Sequence, residues 1–312
     1  MPIQLSQPSE SNGFDLAEVE AAIASTQFAG LLHHLASTPS TNDLARQAAD
    51  AGARHGVWIA DEQTAGRGRG AHTWHSEPGA GLYMTALISP PIPMQSALRL
   101  SFTTAIAAQS AICSVFGFER PAEIDIRWPN DLMLAQKGGP AKKVGGILID
   151  TASKAAAPPL PAMLRYAIVG IGINLNHTSF PPELDAIATS LRRESFTRSV
   201  ENSAKCRSVE NGTKCLRREP LAAAILVALD EEIRRLTIPG LQPATDNLQL
   251  ATYSTWITGK RVRVEPRDPA PNDPAAGGYT GTTAGLDSNG FLRVLGDDGQ
   301  LHTVLSGGLR EP

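Results

Sequence analysis

The sequence predicts an α+β fold: a mixed, mainly antiparallel sheet backed by helices, followed by a small all-β module. Three observations carry this. Short apolar runs recur at hairpin spacing between residues 31 and 175, bounded by glycine, proline and polar turns. The longest helical pattern, Ser96 to Phe116, is apolar nearly all round, as a helix buried under a sheet should be. After Gly259 the texture changes to brief strands joined by Asp287-Ser288-Asn289-Gly290 and Asp297-Asp298-Gly299.

The elements follow in order. Residues 1–14 are polar and expected to be loose. Asp15–Ser25 reads as an amphipathic helix, and Leu31–Leu35 as a short strand. Too few elements fit before residue 35 for a winged helix or helix-turn-helix, so no DNA partner is expected. Ser40 or Thr41 can cap a helix from about Asp43 to Ala51, with Gly52 as its stop. Gly56–Asp61 and Leu82–Ile88 are strands flanking a glycine-rich connection. Gly117 ends the long helix, and Cys113 inside it reads as a core thiol. Ile124–Trp128, Leu132–Leu134, Lys142–Asp150 and Tyr166–Leu175 read as strands, with a turn over Gln136–Ala141. Pro220–Leu236 and Leu241–Thr255 read as helices. Lys260–Glu265, Tyr279–Leu286, Phe291–Leu295 and Leu301–Leu305 supply most of a module of about five strands.

Composition narrows the function classes. With 312 residues, 42% hydrophobic and 19% charged, the chain has the balance of a soluble globular protein. A net charge of −3 gives no general reason to bind nucleic acid. No run of 18 apolar residues appears, and MPIQLSQPSESNGF lacks the pattern of a signal peptide. No membrane association is expected. Cys113, Cys206 and Cys215 are too few for a disulfide or metal framework, which fits the cytoplasm. Arg198–Cys206 and Arg207–Cys215 are a tandem duplication, RSVENSAKC and RSVENGTKC. Two polar copies are too few for a repeat fold and read as a surface loop.

Four constellations carry chemistry. Gly66-Arg67-Gly68-Arg69-Gly70 places two planar cationic forks on one side of an extended, glycine-rich backbone, an arrangement suited to phosphate or carboxylate. It is neither a P-loop nor a dinucleotide fingerprint, and a plain flexible hairpin loop is the bland reading. Arg127-Trp128-Pro129-Asn130-Asp131 ends a strand, either as a simple turn or as a wall with polar contacts to a ligand. Lys143 precedes Gly145 and Gly146, which let a ligand lie against the backbone. Gly170-Ile171-Gly172-Ile173-Asn174-Leu175 leaves one strand face bare, for tight packing or for a flat slot. Ser40-Thr41-Asn42 is either a helix cap or the polar lip of a pocket. His72 and His75 lack a third ligand, so no metal site is expected.

Taken together and in order, these residues resemble the biotin protein ligases. The matching parts are Ser40-Thr41-Asn42, Gln63 with GRGR at 66–69 and Trp74, RWPND at 127–131, Lys143 with GGIL, and GIGINLN at 170–176. The resemblance covers roughly residues 35–310. It implies a class II synthetase-like catalytic domain over 31–256, after an N-terminal extension over 1–30. An SH3-like β-barrel over 257–312 would follow. It also implies a two-step reaction, in which biotin and ATP with Mg2+ give biotinyl-5′-adenylate and a lysine of a biotin carboxyl carrier domain receives the biotin. That carrier would belong to acetyl-CoA carboxylase or a related carboxylase, and the enzyme would be a monomer or homodimer. By the same resemblance, Ser40, Thr41, Asn42, Gln63, Gly66, Arg67, Lys143, Gly145, Gly146 and Ile147 contact biotin. Arg67, Arg69, Trp74, Asn130, Lys143 and Asn174 contact ATP or the adenylate. Lys143, Arg67, Arg69 and Asp131 carry the catalysis.

The chain departs from the family pattern at Gly70-Ala71-His72, where more arginine is common, at Arg127 in place of lysine, and in the duplicated segment. A lipoate or octanoate ligase or transferase shares the catalytic architecture and is the competing enzyme. A biotin-responsive regulator is the competing non-enzyme.

Overall fold

The computed structural model describes residues 14–70, 72–154, 161–195, 206–208, 214–238, 250–265, 278–305 and 307–312. β1 (Leu32–Thr38), β2 (Gly56–Gln63), β3 (Gly81–Ile88), β4 (Ile124–Arg127), β5 (Asp131–Gln136), β6 (Gly139–Lys154) and β7 (Met163–Asn174) form one sheet. Its order is β1-β2-β3-β7-β6-β5-β4. Only β1 and β2 run parallel; the other neighbours are antiparallel. A parallel neighbour cannot be reached by a tight hairpin, and here the chain crosses over through α2 (Thr41–Asp50).

Side chains alternate across the sheet, so its two faces meet different partners. Met84, Ile147, Ile171 and Ile173 share the main buried cluster with α3 (Ala97–Phe116). Burial on nearly every side of α3 explains its all-round apolar sequence, and Gly117 at φ +76° ends it in the left-handed region. The opposite face carries α2, whose Ala45 and Ala49 pack on Leu87, Tyr166 and Ile168. α4 (Pro182–Asp185), α5 (Leu191–Ser195) and α6 (Arg218–Thr237) follow β7, and Leu221, Ile225 and Leu229 of α6 join the main cluster.

α1 (Leu16–Ala22) is capped by Asp15, whose carboxylate accepts the Glu18 N–H at 3.1 Å. It belongs to the core rather than to a separate extension. Val19, Ile23 and Phe28 are fully buried. The Asp15 N–H donates to Glu219, the Gln27 side chain donates to Asp230 at 2.8 Å, and Glu18 pairs with Arg217.

β10 (Thr258–Glu265), β11 (Tyr279–Leu286), β12 (Leu292–Gly296), β13 (Leu301–Val304) and β14 (Gly308–Arg310) form a second sheet. It is antiparallel throughout, in the order β13-β12-β11-β10-β14. Val262, Val264, Leu292, Val294 and Leu309 are among its buried residues. It meets the first sheet where Trp128 Nε1 donates to the Gly290 carbonyl at 3.3 Å.

Some expectations change. The turn over Gln136–Ala141 shrinks to Lys137-Gly138, with Gly138 at φ +75°, because β6 already begins at Gly139. Cys113 is half-buried rather than fully so, and burial pushes its thiol up to about 11. Of the duplicated segment, residues 198–205 and 209–213 lie outside the described residues. Cys206–Ser208 (β8) pairs antiparallel with Lys214–Leu216 (β9), and Cys215 is a free thiol. Of the expected helix Leu241–Thr255, residues 241–249 lie outside the described residues, and Leu250–Ser254 closes as a turn. Residues 1–13, from the stretch expected to be loose, and Ala71 also lie outside them. No helix among the described residues is long and apolar enough to cross a membrane.

Candidate active site

The glycine-arginine segment is a tight hairpin. Trp74 N–H donates to the Gly66 carbonyl at 2.9 Å, Gly68 N–H donates to His72 at 2.8 Å, and Arg67 bridges Thr73. Gly66 has no room for a side chain, since a Cβ there would lie 2.7 Å from the Trp74 carbonyl oxygen. The hairpin lays Trp74 across the sheet where Gly146 and Gly172 stand directly opposite each other on β6 and β7. A Cβ on Gly172 would come within 2.6 Å of the indole. The bare strand face expected from GIGIN therefore exists, covered by the Trp74 ring at Gly172 and by the Asn42 side chain at Gly170.

A cavity of about 290 Å3 opens beside this contact. It gathers residues from both sheets, α2 and the hairpin. Ser40, Thr41, Asn42, Gln63, Arg67, Arg69, Trp74, Asn130, Asp131, Lys143, Gly146 and Ile147 all line it. Three expected residues do not. Gly66 packs inside the hairpin. Gly145 faces the core, where a Cβ would meet Ile173 Cδ1 at 2.7 Å. Asn174 is buried and donates to the Thr189 carbonyl at 3.1 Å.

The reason for Gly145 is a β-bulge. Leu132 pairs with Gly145 but Met133 pairs with Lys143, so Val144 is an extra residue on β6. Strict alternation would put Lys143 and Gly145 on one face. The bulge instead puts Lys143 beside Gly146, whose Cβ would lie 3.2 Å from Lys143 Nζ. The displaced backbone is held by the next segment, with Lys143 N–H donating to Ile187 and Thr189 N–H donating to Lys143.

At the α2 end the cap question resolves. Ser40 holds the cap position in extended conformation, but its hydroxyl makes no capping bond. Gln63 Oε1 takes that part from β2, accepting the Thr41 N–H at 2.9 Å and its hydroxyl at 3.1 Å. Thr85 donates toward both Thr41 Oγ1 and Asn42 Oδ1, at 2.7 and 2.6 Å. One hydroxyl proton cannot serve both, and Asn42 Nδ2 is buried with no partner. This network is thus one bond short, at the cavity wall.

The cations of the site are already paired. Lys143 Nζ lies 2.6 Å from Asp131 Oδ1, and Arg127 Nη2 lies 2.7 Å from Oδ2. Burial pushes the Asp131 carboxyl up, but Lys143 and then Arg127 outweigh it and hold the group below its ordinary value. Arg67 pairs with Asp43 at 3.0 Å and Asp150 at 3.3 Å, and Arg46 reaches the same Asp150 oxygen. Arg69 donates to the Gly307 carbonyl at 3.0 Å, so the second sheet holds the hairpin. Asn130 spans Ile147, accepting its N–H at 2.9 Å through the carbonyl and donating Nδ2 to its carbonyl at 2.6 Å.

Sequence reasoning missed Asp43, Asp150 and Thr85, and the wall supplied by Gly307–Arg310. Asp43 carried one usable signal, an acid in the first turn of a helix that opens at the lip. The others depend on strand pairing and on docking of the second sheet.

Residues 35–174 match the family model for the biotin/lipoate A/B protein ligase family. The bifunctional ligase/repressor BirA of Bacillus subtilis is 37% identical over 275 residues, covering 86% of this chain and 70% of that protein. The chain belongs to the biotin protein ligases. A second family member, the biotin–[acetyl-CoA-carboxylase] ligase of Mycobacterium tuberculosis, is 32% identical over 160 residues, or 50% of this chain and 53% of that one. The chain spans 44% of the BirA of Bacillus spizizenii. The biotin protein ligase of Aquifex aeolicus, solved with biotin and ATP, has the same fold. Its TM-score is 0.61 at 23% identity, over 91% of this chain and 100% of that chain.

Proposed function

We propose that this family member joins biotin to a lysine of a biotin carboxyl carrier domain, at the expense of ATP. One observation carries the reading: the five separated motifs converge on one cavity, with Lys143 and both hairpin arginines at its wall. In the first step the biotin carboxylate attacks the α-phosphorus of ATP. A phosphorus–oxygen bond forms, pyrophosphate leaves, and biotinyl-5′-adenylate remains. Both reactants are anions. Lys143, held in place by Asp131, would bind the carboxylate and the charge that develops on the phosphoryl oxygens. In the second step the acceptor amine attacks the acyl carbon and AMP leaves.

Asp131 stays ionised at neutral pH, so it suits orienting a cation better than removing a proton. Mg2+ bound with ATP would neutralise phosphate charge. Asp131 is the one carboxylate among the described lining residues, a hard oxygen donor of the kind Mg2+ prefers. Ser40, Thr41, Asn42 and Gln63 would read the polar head of biotin, with Asn42 Nδ2 as the donor still lacking a partner. Arg67, Arg69 and Trp74 would cover the adenylate, which water would otherwise hydrolyse.

The catalytic domain would span residues 31–256 with α1 docked on it, and 257–312 would form the SH3-like module. The carrier of acetyl-CoA carboxylase or a related carboxylase would be the partner, and the cytoplasm the compartment. Purified protein given Mg2+, ATP and labelled biotin should label a carrier domain. Labelling with lipoate or octanoate in place of biotin would overturn the reading.

A further inference from the structure

Just past Trp74 the hairpin's C-terminal arm runs beside the end of β7. There His75 and Glu77 meet His177, and one potential ligand atom from each lies within 4.8 Å of the others. None of the three lines the cavity described above. The sequence hides this cluster, because His75 pairs by spacing with His72 while its actual neighbour comes from beyond GIGINLN. Two imidazoles and a carboxylate are a donor set that zinc-class ions accept, with the fourth position left to water.

The hydrogen bonds of His177 point to a ligand. Its side chain is fully buried. The Tyr83 hydroxyl lies 3.0 Å from the Glu77 carbonyl oxygen and 3.3 Å from His177 Nε2. A hydroxyl has one proton, and the shorter contact, to an oxygen that can only accept, claims it. Tyr83 then accepts from His177 Nε2–H, which assigns the tautomer and puts the lone pair on Nδ1. Nδ1 is buried and has no partner. A ligating histidine ordinarily has its other ring nitrogen held this way by an outer group. Phe180 stacks on His177 with centroids 5.1 Å apart and walls the cluster on one side.

We propose that His75, Glu77 and His177 bind one divalent transition-metal ion of the zinc class, pinning the arm of the hairpin to the end of β7. Tetrahedral zinc sites bring ligand atoms to about 3.3 Å from one another, so the cluster must tighten by about an ångström. Glu77, exposed and on the arm, supplies that movement. Of the cations around it, the buried Arg218 pairs with Asp61 at 2.6 Å, and Arg193, which lies over the Phe180 ring, pairs with Asp185 at 2.7 Å.

Metal-stripped full-length protein, titrated with Co2+ without biotin or ATP, tests this. One equivalent should give the intense visible bands of a low-coordinate site, displaced by Zn2+. His72→Ala should behave as wild type, Glu77→Gln should bind at least about tenfold more weakly, and His75→Ala should not bind. His177→Ala removes a buried ring and risks unfolding, so the decision rests on the half-buried His75, with circular dichroism to verify the fold. Zn2+ should also slow tryptic cleavage after Arg67 and Arg69 by about tenfold in wild type and not in His75→Ala. No uptake by wild type, or unchanged uptake by His75→Ala, would overturn the site. Cleavage indifferent to bound Zn2+ would overturn the pinning.

Discussion

The cavity has two cationic walls, and they are built differently. Lys143 and Arg127 project from strands β6 and β4 onto one carboxylate whose side chain is only 18% exposed. Arg67 sits on the hairpin, 42% exposed, and pairs with two carboxylates, one of which, Asp150, it shares with Arg46. Partly buried pairs are costly to break, because each partner is left with a charge that water reaches poorly. Exposed pairs contribute from nothing to about 1 kcal/mol and exchange readily. The strand wall is therefore suited to hold a charge in one place during chemistry. The hairpin wall is suited to leave its carboxylates when an anion arrives and to return when it departs.

Substitutions can break this contrast. The largest effect should come from Lys143→Ala. Removing a preorganised cation at the reacting phosphoryl group should slow adenylate formation by about a thousandfold, read as pyrophosphate release, with little change in fold. Next comes Asp131→Asn, which leaves Lys143 and Arg127 facing each other uncompensated. It should cost about 2 kcal/mol of stability at pH 7, allowing for partial exposure, as read by urea denaturation. The folded-state pKa of Asp131 is depressed, so its contribution is full above the ordinary value of 3.8 and is lost as pH falls through the lower folded value. The gap between wild type and Asp131→Asn should narrow only below about pH 4. A gap that closes between pH 5 and 7 would mean that another group is responsible.

Arg67→Ala should act on the other wall. Stability should change by no more than about 0.5 kcal/mol, and adenylate formation by a few-fold. Loss of adenylate to solvent should speed up about tenfold, measured by trapping free adenylate before a carrier is added. The smallest effect belongs to Gly70→Arg with His72→Arg, which adds charge to the hairpin tip. Release should slow by a few-fold, about the effect of one or two exposed charges. An unchanged rate would show that the tip does not touch the adenylate.

The same contrast explains what could be read in advance. Alternating strands, the glycine after α3 and the C-terminal turns are local signals, and they placed β1–β7, α1–α3, α6 and β10–β13, but not α4, α5, β14 or the β8–β9 pair. The five motifs led to the cavity because each is short and contiguous. What stayed hidden was non-local. The bulge at Val144 changes which glycine faces the cavity, and no feature of Lys143-Val144-Gly145-Gly146 announces it. Asp43 and Asp150 meet Arg67 only once α2 and β6 are in place. Gln63 displaces Ser40 as the cap of α2 across a strand and a helix. Residues 14–30 read as an outlying segment because one short amphipathic helix gives no hint of where its apolar side packs.

The most direct test of the proposed site is the structure of this protein with a non-hydrolysable analogue of biotinyl-5′-adenylate. The phosphoryl linkage should lie within about 3 Å of Lys143 Nζ, hydrogen-bond distance for a group that stabilises its charge. Lys143 should still be held by Asp131, and Arg67 should have left Asp43 and Asp150. An analogue bound outside this cavity would contradict this, as would one bound with the Lys143 ammonium out of contact with the phosphoryl group.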